Sequence, residues 1–136
     1  MPLMKWNDKL SVGIASIDTE HKKLVDMVNE LYDGVMSGHG KDALGHVLTR
    51  LIEYTRGHFA HEEKLFAQTG YKEAALHKKE HEDLTKQVLE VQAKYNSGAI
   101  STLSIDVLHF LKNWLVEHIQ GEDKKYAPWL ISKGVH

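Results

Sequence analysis

Two short runs carry the side chains best suited to chemistry. The first is His58-Phe59-Ala60-His61-Glu62-Glu63 and the second is His77-Lys78-Lys79-Glu80-His81. His58 and Glu62 stand four residues apart, as do His77 and His81. On an α-helix, residues at i and i+4 share a face about 6 Å apart along the axis. Neutral imidazole and carboxylate both offer lone pairs at neutral pH, so such a pair can converge on a metal ion. Either pair alone is more often a solvated helix surface. His21, His118 and Asp123 change that balance once the elements that position them are considered.

Helical periodicity places four long segments in the chain. The first begins near Asp18, expected as its N-cap, and carries Leu24, Val25, Val28, Leu31, Tyr32 and Val35 up to Ser37-Gly38-His39-Gly40. The second runs from about Asp42 to about Phe66, with Leu44, Val47, Leu48, Leu51, Ile52, Thr55 and Phe59 as its apolar stripe. Gly57, next to His58, is read there as a point of close helix approach. The third runs from about Lys72 to about Tyr95, with Leu76, Leu84, Val88, Leu89 and Val91 inward, and stops at Asn96-Ser97-Gly98. The fourth runs from Ser101 or Thr102 to about Gln120, carrying Leu103, Val107, Leu108, Phe110, Leu111, Trp114, Leu115 and Ile119. Residues 1–17 form an extended N-terminal arm whose Trp6, Leu10, Val12, Ile14 and Ile17 lie on the body. Residues 122–136 form a tail or short helix docked by Trp129, Leu130 and Ile131. The expected architecture is all-α: an up-down-up-down four-helix bundle within one domain over 1–136, its bundle spanning about 18–121.

That topology gives the candidate ligands a common address. The starts of helices one and three share an end of the bundle with the ends of helices two and four. His21, His58, Glu62, His77, His81, His118 and Asp123 therefore fall in one layer. Seven ligands exceed one ion. Five histidines and two carboxylates suit two metals bridged by Glu62 and Asp123, and imidazole alone does not choose among iron, zinc, copper and nickel. His118 and Asp123 are five apart, off one ideal helical face. Gly121 between them marks a place where the helix loosens or bulges.

Composition narrows the function. The 136 residues carry a net charge of −2, which argues against a nucleic-acid binder. With no cysteine, disulfides, iron–sulfur clusters and thiolate zinc sites are excluded. No signal-peptide run and no stretch of ~18 apolar residues is present, so a soluble, cytoplasmic protein without a membrane span is expected. The anomaly is ten histidines. Beyond the seven candidates, His39, His46, His61, His109 and His136 read as surface histidines, and Glu63 and Glu82 as solvated faces. Tyr32, Tyr54 and Tyr126 read as packing residues.

The ordered set of motifs resembles the hemerythrin family, in particular its single-domain bacterial members. The matching residues are Ile17-Asp18-Thr19-Glu20-His21, His58-Phe59-Ala60-His61-Glu62-Glu63, His77-Lys78-Lys79-Glu80-His81 and Trp114-Leu115-Val116-Glu117-His118-Ile119-Gln120-Gly121-Glu122-Asp123. The likeness runs the whole chain, from Trp6 to Lys125-Tyr126. Lys72 departs from a common proline after the tyrosine, in a turn. The resemblance implies two Fe ions in a non-haem, oxo- or hydroxo-bridged di-iron centre. It assigns His77, His81 and His118 to one iron and His21 and His58 to the other, with Glu62 and Asp123 bridging. The second iron then keeps an open position for O2. Trp114, Leu115, Ile119 and Phe59 would wall the O2 pocket against water. The expected function is reversible O2 binding for carriage, storage or delivery by a monomer that is not an enzyme. Partners would be O2 itself and an O2-consuming enzyme or a reductase. The alternatives are an O2 or redox sensor acting through a separate partner, a di-iron enzyme such as a nitric oxide or peroxide reductase or iron oxidase, and a structural zinc or mixed-metal bundle.

Overall fold

The structure, a computed structural model, describes residues 4–38, 40–97 and 104–135. The expectations for His39, His136, the stop at Gly98, a helix start at Ser101 or Thr102, and Leu103 lie outside the described residues, as does that for the Val107 side chain. Among the described residues all regular structure is helical. Four helices make an up-down-up-down bundle: α1 (Ala15–Met36), α2 (Gly40–Thr69), α3 (Ala74–Asn96) and α4 (Ser104–Glu117). A π-helical stretch, His118–Asp123, joins α4 to α5 (Lys124–Ser132). Helix α1 packs chiefly on α2 and α4, and α2 also on α3.

The arm is held by two polar clasps as well as by its apolar side chains. Met4, Leu10, Val12 and Ile14 are buried, and Asp8–Leu10 form one 3-10 turn. Asn29 on α1 accepts from Met4 N–H at 2.8 Å and donates to Met4 C=O at 2.9 Å. Asp18 does not cap α1. The helix starts earlier, after Ile14, whose side chain makes no cap. The Asp18 carboxylate instead accepts from the Ser11 hydroxyl at 2.5 Å and from Val12 N–H at 2.9 Å. It fastens the arm one turn into the helix.

Helix α2 shows how one stripe serves two purposes. Leu44, Val47, Leu48, Leu51 and Ile52 are buried along one half, then Thr55, His58, Phe59 and Glu62 continue the same face. The apolar half builds core; the polar half faces the same interior and needs a polar occupant. Gly57 is not a point of close approach, since a Cβ there would meet nothing within 4 Å. Gly45 is: a Cβ would stand 2.6 Å from the Tyr95 hydroxyl. At the end of α2, Gly70 adopts φ +69° and Tyr71 N–H returns to Phe66 C=O at 3.1 Å, closing the helix in the left-handed manner glycine favours.

Three apolar residues expected inside lie outside. Leu76 is 65% exposed, Leu89 37% and Ile131 43%. In α3 the reason is phase. His77 and His81 take the inward face, so Leu76, one residue from His77, is turned about 100° away. The buried residues of α3 are His77, His81 and Val88. In α5, Tyr126, Ala127 and Leu130 are buried, and Ile131 next to Leu130 turns outward.

Candidate metal centre

The bundle brings all seven candidate ligands to one end and buries each of them. His21, Glu62 and Asp123 have no exposed surface, and His118, the most open of the seven, is 6% exposed. They fall into two overlapping groups. Donor atoms of Glu62, His77, His81, His118 and Asp123 lie within 4.8 Å of one another, and so do those of His21, His58, Glu62 and Asp123. Glu62 and Asp123 belong to both. The π stretch completes the set: by widening the turn from His118 to Asp123, it puts residues five apart on one face.

The donor atoms fit cations better than they fit one another. Nε2 of His21, His77 and His118 stand 2.9, 3.1 and 3.0 Å from Asp123 oxygens. Nε2 of His58 and His81 stand 3.2 and 3.3 Å from Glu62 Oε1. These are hydrogen-bond distances, yet no Nε2 of the five and no oxygen of either carboxylate has a hydrogen-bond partner. The atoms are close without pointing at each other. Two ligands at right angles on one ion, each at about 2.1 Å, lie about 3.0 Å apart. Buried polar atoms left in this condition cost about 1–3 kcal/mol each. A pair of cations removes that cost.

Protonation without metal follows the same geometry. Burial, then the neighbouring His77 and His118, push the His81 pKa down to about 3, so its ring is neutral and its lone pair free. Burial and repulsion from Asp123 push Glu62 up to about 7. Burial opposes ionisation of Asp123 too, but His118, His21 and His77 around it hold its carboxyl well below the usual range. Burial likewise disfavours charge on His118, yet Asp123 beside it keeps its pKa raised.

Sequence reasoning missed the carboxylates behind the ligands. Glu20 Oε1 lies 2.5 Å from His58 Nδ1, and Glu63 Oε2 lies 3.3 Å from His81 Nδ1. Glu63 is therefore not simply a solvated face. Burial works against ionisation of Glu20, but His58 and His61 lower its pKa. The available signal was adjacency, Glu20 beside His21 and Glu63 beside Glu62, though only tertiary structure shows which imidazole each reaches. His61 is no member of either ligand group, but it too meets Glu20. His46 and His109 are exposed. Tyr126 is fully buried, its ring 5.3 Å from that of His77; burial, then Asp123 and Glu62, hold its pKa well above the usual value.

The expected wall residues are also buried: Phe59 (4% exposed), Trp114 (5%), Leu115 (1%) and Ile119 (0%). Phe59 stacks flat on His81, ring centroids 3.8 Å apart, and lies 5.5 Å from His118. Trp114 donates its indole N–H to Leu84 C=O at 3.3 Å, tying α4 to α3. Leu115, in the last turn of α4, sits one turn before His118 at the start of the π stretch.

Known proteins resemble this chain in sequence and in fold. Residues 12–130 match the family model described as the hemerythrin HHE cation binding domain. Bacteriohemerythrin of Stenotrophomonas maltophilia (strain R551-3) is 36% identical over 127 residues, 93% of this chain and 81% of that protein. Bacteriohemerythrin of Methylococcus capsulatus (strain Bath) is 35% identical over 131 residues, 96% of this chain and 98% of that protein. The crystal structure of a wild-type hemerythrin superposes with a TM-score of 0.84 at 35% identity, covering 94% of this chain and 98% of the other. A leucine-to-alanine variant of hemerythrin gives 0.85 at 34%, covering 96% and 98%. The chain belongs to the hemerythrin family, whose cation site is a di-iron centre that binds O2.

Because α3 is held inward largely by two histidines, the ions should act as part of its core. Removing metal with a chelator is expected to lower Tm, with amides of α3 among those losing hydrogen-exchange protection. Unchanged melting and exchange would show that the bundle does not depend on the site.

Proposed function

We propose that this chain binds and releases O2 at a di-iron centre and serves as a carrier, store or delivery protein. The observation that carries this reading is the unequal pair of donor groups. Glu62 and Asp123 are common to both, three histidines complete one and only two complete the other. His77, His81 and His118 would hold one iron, His21 and His58 the other, with both carboxylates bridging. The two-histidine side has fewer protein donors, which leaves room for O2. Iron held there would supply the redox chemistry for reversible O2 binding.

The chain's own residues make that exchange reversible. Neutral imidazoles favour the ferrous state, whereas the carboxylate-rich sites of ferritin-like oxygenases stabilise higher oxidation states. Glu20 and Glu63 orient His58 and His81 by accepting from Nδ1–H, which leaves each Nε2 lone pair directed inward. Phe59, Trp114, Leu115 and Ile119 keep water and stray protons out of the pocket. This division of labour favours binding over turnover, and we read the protein as a carrier and not an enzyme.

Among the described residues no helix is long and apolar enough to cross a membrane. We place the protein in the cytoplasm, as one domain over the whole chain, with an O2-consuming enzyme or a reductase as its partner. A monomer fits the scattered exposed large apolar residues among those described, Met36, Leu76, Leu89 and Ile131.

The test is metal content with a visible spectrum through one cycle of reduction, oxygenation and argon sparging. Two irons per chain, with a band that appears under O2 and fades under argon, is the expected result. Immediate irreversible oxidation would point to an enzyme or redox sensor. Zinc, or no metal after reconstitution, would overturn the O2-binding reading.

A further inference from the structure

We propose that His61 is a positioning residue for the His58 ligand, acting through Glu20, and that this clamp sets how firmly the two-histidine iron is held and how readily it is oxidised. The proposal rests on the reading of His58 as a ligand. His58 and His61 are three residues apart on α2, so both rings reach toward the same stretch of α1. There Glu20 takes both. Its Oε1 lies 2.5 Å from His58 Nδ1 and 3.1 Å from His61 Nδ1, and its Oε2 lies 2.9 Å from His61 Nδ1.

The hydrogen bonds have one consistent direction. An ionised carboxylate can only accept, so both imidazoles present Nδ1–H to Glu20. For His58 this fixes the tautomer whose Nε2 lone pair faces the interior. The Glu20 side chain is 24% exposed and could turn to water on its flexible stem. His61 prevents this by meeting both carboxylate oxygens at once, which fixes the carboxylate plane as well as its position. His61 is itself 32% exposed and joins neither donor group, so the clamp reaches the surface without adding a ligand.

Three of the other candidate imidazoles lack this arrangement. His81 has Glu63 at 3.3 Å, and the Nδ1 atoms of His21 and His118 have no hydrogen-bond partner. On the two-histidine side, carboxylate backing is therefore concentrated on His58. A firmly held carboxylate makes the imidazole a stronger donor, and a stronger donor favours the ferric over the ferrous ion.

The experiment uses the full-length protein, ferrous ion alone in anaerobic competition with a chelator, and the midpoint potential of the loaded site. His61→Ala should weaken retention about tenfold, the low end for an outer partner of a metal ligand. It should also raise the potential, by about 59 mV if the ferric preference falls tenfold. His61→Asn, which keeps an N–H donor near the Nδ1 position, should restore both. Glu20→Gln should lose at least as much as His61→Ala. If His61→Ala matches wild type in both measurements while Glu20→Gln does not, Glu20 is held without His61 and the proposal fails. If His58→Ala also matches wild type, His58 is no ligand, and the assignment beneath the proposal fails with it.

Discussion

Replacing His118 by alanine is expected to take the protein from two irons per chain to one or none. His118 Nε2 lies 3.0 Å from Asp123 Oδ1, so both would share an ion, and Asp123 serves both donor groups. Losing an outer partner of a ligand already costs about 10–100-fold in metal affinity, and loss of the ligand itself should cost at least that. The vacated space also leaves Asp123 buried with one fewer counter-group, so the remaining ion is held in an altered site. Elemental analysis after gel filtration measures the outcome, and His109→Ala, at an exposed position of α4, is the control that should keep full iron. Two irons and intact O2 binding in His118→Ala would remove His118 from the ligand set.

Leu115→Ala should oxidise irreversibly faster than wild type. Leu115 is 1% exposed and one turn from His118, where its side chain would exclude water from the pocket. Truncation leaves a cavity, costs about 2–5 kcal/mol of stability and opens a path for solvent. A roughly tenfold faster loss of the O2-binding form, equivalent to about 1.4 kcal/mol of barrier, is the expected size. Leu115→Met, close in volume, should behave like wild type. The decay of the oxygenated spectrum in air gives the rate. Equal rates for Leu115→Ala and wild type would exclude Leu115 from the barrier.

The sequence was most informative where chemistry and helical spacing coincide. His58/Glu62 and His77/His81 announce themselves because i,i+4 is a property of any helix, whatever surrounds it. His118 and Asp123 do not, because five residues fit one face only in a π turn; Gly121 was the clue that the helix must loosen. The four helices were legible from their apolar periods, but boundaries and phase were less so. Asp18 has the chemistry of a cap, and nothing local reveals that Ser11 and Val12 will claim its carboxylate first. Leu76 and Leu89 look like core until His77 and His81 are seen to occupy the inward face of α3. Glu20, His61 and Glu63 are the hardest to read. Their partners lie on another helix or behind a ligand, and the facing of two helices depends on packing of the whole bundle.

The π stretch between α4 and α5 governs which changes of length the chain can absorb. A π turn amounts to a helical turn with one residue too many. Shortening the 119–122 segment by one residue would let it relax to an ordinary α-turn with His118 and the aspartate four apart, about 40° from alignment. Lengthening it by one in an α-helix would place them six apart, about 120° from alignment. The same offset would carry Tyr126 and Leu130 of α5 out of the core, where both now have no exposed surface. The segment is thus lopsided toward insertions and deletions: one missing residue preserves the reading frame of ligand and core together, and one extra residue breaks both.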